Sequence, residues 1–77
     1  MQIKILGPGC INCKTLHQRT QEAASQLNLN AQIDKVEDIR EIMKYGISTP
    51  MLVVDEVVKH QGKPLPSVEK IKELLQS

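Results

Sequence analysis

No tryptophan and no phenylalanine occur in this chain, and Tyr45 is its one aromatic residue. Any core it forms must be aliphatic. A charge of one sign is also missing, since ten basic and nine acidic residues leave a formal charge of +1. Without a strong field there is little to gather nucleic acid or an acidic lipid surface, and neither is expected as a partner. No apolar run approaches the ~20 residues that a membrane span requires. Met1 leads directly into Gln2-Ile3-Lys4-Ile5-Leu6, without a basic leader and a longer apolar stretch. The expectation is a cytoplasmic protein. Length is the last shortage: 77 residues allow one domain, spanning 1–77, with one modest core, and exclude a second catalytic domain.

Cysteine is scarce as well, but its placement is informative. The two cysteines lie three apart in Cys10-Ile11-Asn12-Cys13, where a short apolar strand gives way to a helix. A disulfide between such close neighbours closes a small loop and takes little entropy from the unfolded chain, so stability is a weak reason for the pair. In a cytosolic chain a lone disulfide is more often transient than structural. A C-x-x-C beside a strand-helix unit therefore reads first as a reversible dithiol/disulfide site.

The rest of the chain divides by periodicity. Residues 2–6 read as a strand that Gly7-Pro8-Gly9 breaks. Leu16, Thr20, Ala23, Ala24 and Leu27 recur at helical spacing, predicting a helix from about 11 to 28 that ends near Asn28 to Asn30. Residues 31–36 alternate as a half-exposed strand. Asp38 with Glu41 can cap a short helix carrying Ile39, Ile42 and Met43 on one side, which Gly46 ends. Met51 to Val54 is apolar enough for a central strand, and Val57 to His60 can pair back across Asp55-Glu56, although Glu56 is a poor turn residue. After the loop 61–66, Ser67 can cap a last helix bearing Val68, Ile71, Leu74 and Leu75. The order βαβαββα, with a parallel crossover first and a hairpin later, predicts an α/β fold: a four-stranded mixed sheet with three helices distributed over both faces.

Placed at or just before a helix N-terminus, Cys10 meets unpaired backbone N–H groups and the positive end of the helix dipole. Both favour thiolate over thiol. Cys10 is thus the expected attacking group and Cys13, one turn into the helix, the resolving one, with Ile11 and Asn12 tuning exposure and local hydrogen bonding. No bound metal or organic cofactor is needed, because the sulfurs carry the two electrons.

Lys-Ile-Leu-Gly-x-Gly-Cys-x-x-Cys at residues 4–13, Tyr45-Gly46-Ile47-Ser48-Thr49-Pro50, the hairpin, and Pro66-Ser67-Val68 opening the last helix together resemble the thioredoxin and glutaredoxin superfamily. The likeness spans essentially the whole chain and is greatest to the very small archaeal and bacterial thioredoxin-like proteins called redox-active disulfide proteins. It implies a thioredoxin-like fold and a protein-thiol:disulfide oxidoreductase acting on disulfide-containing client proteins. By the same resemblance, Pro50 is a cis-proline opposite the cysteines and Thr49 offers backbone hydrogen bonds to an extended client segment. Ile11, Asn12, Thr49 and Pro50 form the expected client-contact set. From local sequence alone, Pro50 reads equally well as a trans turn residue before a strand.

This chain departs from larger thioredoxins in having Gly9 where they carry Trp and Ile11-Asn12 where they carry Gly-Pro. Lys4 falls where they keep a buried acid, which leaves Cys13 without that general base. Without the C-P-Y-C pattern or a glutathione site of glutaredoxins, the resemblance implies a thioredoxin-reductase-like flavoprotein as electron donor. Oligomeric state is open, with a monomer as the default. Two other readings compete. A C-x-x-C can hold Cu(I) or share zinc in a small metal carrier, but such carriers run βαββαβ, and neither His17 nor His60 completes a zinc site by spacing. The same fold can also serve as a non-catalytic binding module. His17 reads as a solvated helix residue, its other reading being a thiolate tuner one turn after Cys13. His60 reads as a strand-end surface residue and Tyr45 as cover for the short helix. Ile11, Ile47 and the loop from Pro64 to Pro66 frame a possible partner surface.

Overall fold

The computed structural model describes residues 1–8 and 11–76; Cys10, on which the main chemical expectation falls, lies outside the described residues. Seven elements follow one another: β1 (Gln2–Leu6), α1 (Ile11–Gln26), β2 (Gln32–Val36), α2 (Ile39–Ile42), β3 (Met51–Val54), β4 (Val57–Gln61) and α3 (Val68–Gln76). This is the expected βαβαββα order. The sheet runs β2-β1-β3-β4, with β1 parallel to β2 and antiparallel to β3, and β3 antiparallel to β4.

Strand alternation sends the two halves of the core to opposite faces. Ile3, Ile5, Leu52 and Val54 join Leu16, Ala23 and Ala24 of α1 and Ile71 and Leu75 of α3 in one apolar cluster. On the other face, Leu6, Met51 and Val53 pack with Ile42 of α2. β3, central and covered on both sides, is buried along its whole length, which explains its unbroken apolar run. Leu16 is fully buried, so truncating it to alanine would cost about 2–5 kcal/mol. Thr20, the one buried polar residue among those described, returns its hydroxyl proton to Leu16 O at 2.8 Å.

The ends of the elements follow their local chemistry. α1 stops two residues short of the expected bound: Asn28 takes a φ of 56°, and Leu29 N donates to Ala24 O at 3.0 Å. Ser67 Oγ caps α3 by accepting from Lys70 N at 3.1 Å. α3 is tied to α1 by Arg19, which donates to Pro66 O at 3.0 Å, and by Lys72, which donates to Gln26 Oε1 at 3.0 Å.

One expectation for α2 needs correction. Asp38 does cap it, accepting from Arg40 N at 2.9 Å, but the Glu41 carboxylate pairs with Lys44 Nζ at 3.1 Å. The helix is a single turn, so only Ile42 reaches the sheet; Ile39 and Met43 stay exposed. The Asp55-Glu56 turn forms despite its residues. Both take positive φ, 48° and 70°, the pattern of a two-residue hairpin turn that usually selects Asn or Gly. Side chains supply what the backbone lacks. Asp55 Oδ1 accepts from Gln2 N at 2.9 Å, and the Glu56 carboxylate accepts from Tyr45 Oη at 2.7 Å and from Lys4 Nζ at 3.1 Å.

Candidate functional site

The site is built where β1 ends. Gly7 N donates to Val36 O at 2.9 Å, holding the chain at the C-terminal edge of the parallel pair before it turns toward α1. Cys13, on the first turns of α1, is buried at 3% exposure and directs Sγ onto Gly7. A Cβ at residue 7 would collide with that sulfur and lie 3.2 Å from Cys13 Cβ. Glycine is therefore required by the close approach of the thiol.

Pro50 closes the other side. Its Cα is 3.9 Å from the position a Gly7 Cβ would occupy, and the proline is fully buried at the start of β3. The Thr49-Pro50 peptide is cis, as is Lys63-Pro64. Pro50 O accepts from Gly62 N at 3.0 Å, and Gly62, at φ 76°, has its own carbonyl bonded by His60 Nε2 at 2.9 Å. His60 is thus not simply a strand-end surface residue: it stands behind the segment that carries Pro50. Nothing in the local sequence signals this, because the link passes through backbone groups of a separate loop.

The structure brings Cys13 and Pro50 together around Gly7, and Thr49 precedes Pro50 across the cis peptide. Ile11, the first residue of α1, stands 81% exposed, and Asn12 is half-buried behind it. Lys4 is elsewhere. Its amine donates to Tyr45 Oη at 3.2 Å and bonds Glu56 at the β3–β4 turn, the end of β3 opposite Pro50. The bond to Tyr45, then that to Glu56, raises the Lys4 pKa above its ordinary value; Tyr45 first and Lys4 second lower that of Glu56. Lys4, Tyr45 and Glu56 thus form a staple that holds the hairpin turn. His17 is half-buried, and burial first and the charge of Lys35 second hold its imidazole below the ordinary range.

Beside the cysteine turn lies a cavity of about 270 Å³, lined by Pro8, Ile39, Ile42, Met43, Gly46, Ile47 and Thr49. Ile47 is among the residues expected at a partner surface, and Ile39, Ile42 and Met43 lie on one side of α2 as expected. Among the described residues no group of three or more His, Cys, Asp or Glu side chains could hold a metal ion, and no helix is long and apolar enough to cross a membrane.

A chain with this strand order, a buried cysteine at the first turn of α1 and a proline facing it from the start of β3 has the architecture of a thioredoxin-like protein. Comparison with known proteins agrees: the thioredoxin domain profile matches residues 1–76, and the chain belongs to that family. It is 40% identical over 75 residues to a thioredoxin of Methanocaldococcus jannaschii, covering 97% of this chain and 86% of the relative. To a thioredoxin of Methanothermobacter thermautotrophicus it is 36% identical over 76 residues, covering 97% of each. The fold is similar to that of thioredoxin 1 from Thermosipho africanus, with a TM-score of 0.61 at 15% identity over 99% of this chain and 91% of that one.

Proposed function

We propose that the protein is a small protein-thiol:disulfide oxidoreductase that cycles Cys10 and Cys13 between dithiol and disulfide. The observation that supports this most is the seat of Cys13, whose sulfur lies against Gly7 with Pro50 alongside, in a chain of the thioredoxin domain family. A buried sulfur one turn into a helix suits the resolving role, since it is withheld from solvent oxidants and from clients until its neighbour is engaged.

The exchange balances without a bound cofactor. Cys10, as thiolate, attacks one sulfur of a client disulfide, forming a Cys10–client bond and releasing the other client sulfur as thiolate. Cys13 passes its proton to the released client thiolate or to water and then attacks Cys10 Sγ. The mixed disulfide breaks, the second client sulfur leaves, and two electrons have passed from this protein to the client. Thr49 and Pro50 would hold the client chain, with Ile11 and Asn12 at its edge. A thioredoxin-reductase-like flavoprotein would return the electrons.

Trapping tests the assignment of roles. Cys13→Ser should accumulate a mixed disulfide with a client, visible by mass and cleared by dithiothreitol, whereas Cys10→Ser should form none. Full disulfide-reductase activity in Cys10→Ser would refute Cys10 as the nucleophile.

A further inference from the structure

Gly62 is held at both of its backbone polar groups. Its N–H donates to Pro50 O at 3.0 Å, and its carbonyl bonds His60 Nε2 at 2.9 Å. A carbonyl oxygen only accepts, so the proton of that second bond belongs to the imidazole. Gly62 also takes a φ of 76°, a conformation that glycine enters and leaves at little steric cost. The two bonds therefore fix what the residue's own sterics leave free.

The neighbours of Gly62 connect this to the site. A Cβ at residue 62 would lie 3.5 Å from Ser48 Cβ, and Gln61 Oε1 lies 3.0 Å from the place a Cβ on Gly46 would take. β4 pairs Gln61 with Met51 and His60 with Leu52, so the bond from Gly62 to Pro50 carries the β3–β4 ladder one step past the strand and onto the proline. Pro50 has no N–H, and its carbonyl is committed to Gly62, which leaves Thr49 to supply main-chain bonds to a client.

Resting on the oxidoreductase reading, we propose that His60 is a positioning residue for client binding: by bonding the Gly62 carbonyl it holds Gly62 on Pro50 O, and so sets the backbone at Thr49 and Pro50 on which an extended client segment is laid. An imidazole that only stabilised the fold would affect every disulfide substrate alike. A positioning residue acts selectively, because a small disulfide without peptide groups needs the cysteines but not the backbone of Thr49.

The test uses the reduced, full-length protein with two substrates: a peptide disulfide extended by several residues on each side of its cysteine, and bis(2-hydroxyethyl) disulfide. His60→Leu and His60→Asn, whose amide ends short of the Nε2 position, should each raise KM for the peptide about three- to tenfold, the worth of one hydrogen bond. Both should leave kcat, and reduction of the small probe, within about twofold of wild type. His60→Gln can place a donor near the Nε2 position and should bring the peptide KM back to within about twofold. Amide hydrogen exchange at Gly62, measured without substrate, should quicken in the Leu and Asn variants and stay near the wild-type rate in Gln. If the Leu variant does not fold, the Asn and Gln pair decides. A peptide KM unmoved in the Leu and Asn variants, a rise without faster exchange at Gly62, an equal loss on both substrates, or no recovery with Gln would each overturn the proposal. Failure of the wild type to reduce even bis(2-hydroxyethyl) disulfide would remove the exchange reading and this role with it; reduction of that probe with a peptide KM indifferent to His60 would remove the positioning role alone.

Discussion

The sulfur of Cys13 occupies the space that a side chain on Gly7 would need. This contact joins the end of β1 to the first turns of α1. It makes the cysteine's position depend on a residue six places earlier in the chain.

Gly7→Ala should therefore destabilise the fold by about 1–3 kcal/mol, the usual range for overpacking a tight interior. Denaturant unfolding of a double-mutant cycle checks the cause. With Cys13→Ala beneath it the penalty should shrink, because the atom that clashes has been removed. An undiminished penalty would place the strain in the backbone.

Glu56 carries a pH dependence whose sign is fixed by the direction of its shift. Its carboxyl is held below the ordinary 4.5 by Tyr45 first and Lys4 second, so in that range the unfolded chain binds the proton more readily than the folded one. The stabilisation is fully present above about 4.5 and is lost as pH falls through the lower, folded value. Lys4, raised above 10.5, contributes fully below that value and loses its contribution as pH rises through its folded pKa. Unfolding curves for wild type and Glu56→Gln should differ at neutral pH and converge in acid; parallel curves throughout would show that the carboxylate is not the source.

His17 should titrate below 6.5 when followed by its ring proton shifts, since burial and, to a lesser extent, Lys35 disfavour the imidazolium. Lys35→Met should move the midpoint only part of the way back, because burial is the larger cause. In the window below 6.5 the unfolded chain takes up the proton first, so stability falls with falling pH there and His17→Gln should flatten that slope. A midpoint at or above 6.5 in the wild type would contradict this placement.

Much of this was legible in the sequence because the signals are local. The spacing of Leu16, Thr20, Ala23 and Ala24 marks a helix laid on a sheet, and the unbroken run Met51–Val54 marks a strand covered on both faces. Cys13, Thr49 and Pro50 were found as motif residues. What escaped depends on contacts across the chain. Glu56 reads as a poor turn residue until Lys4 and Tyr45 are seen to hold its carboxylate. Ile39 and Met43 share a side of α2 with Ile42, but a one-turn α2 can lay only Ile42 on the sheet, and the other two become cavity wall. His60 is tied to Pro50 only through Gly62, a connection without any sequence pattern.

The most direct test of the central claim is an anaerobic redox titration of the purified protein, with free thiols counted by alkylation and mass and metal content determined on the same sample. A reversible two-electron couple between roughly −180 and −270 mV, without stoichiometric metal, is the expected result. Stoichiometric copper or zinc protecting both thiols, with no such couple after its removal, would contradict it.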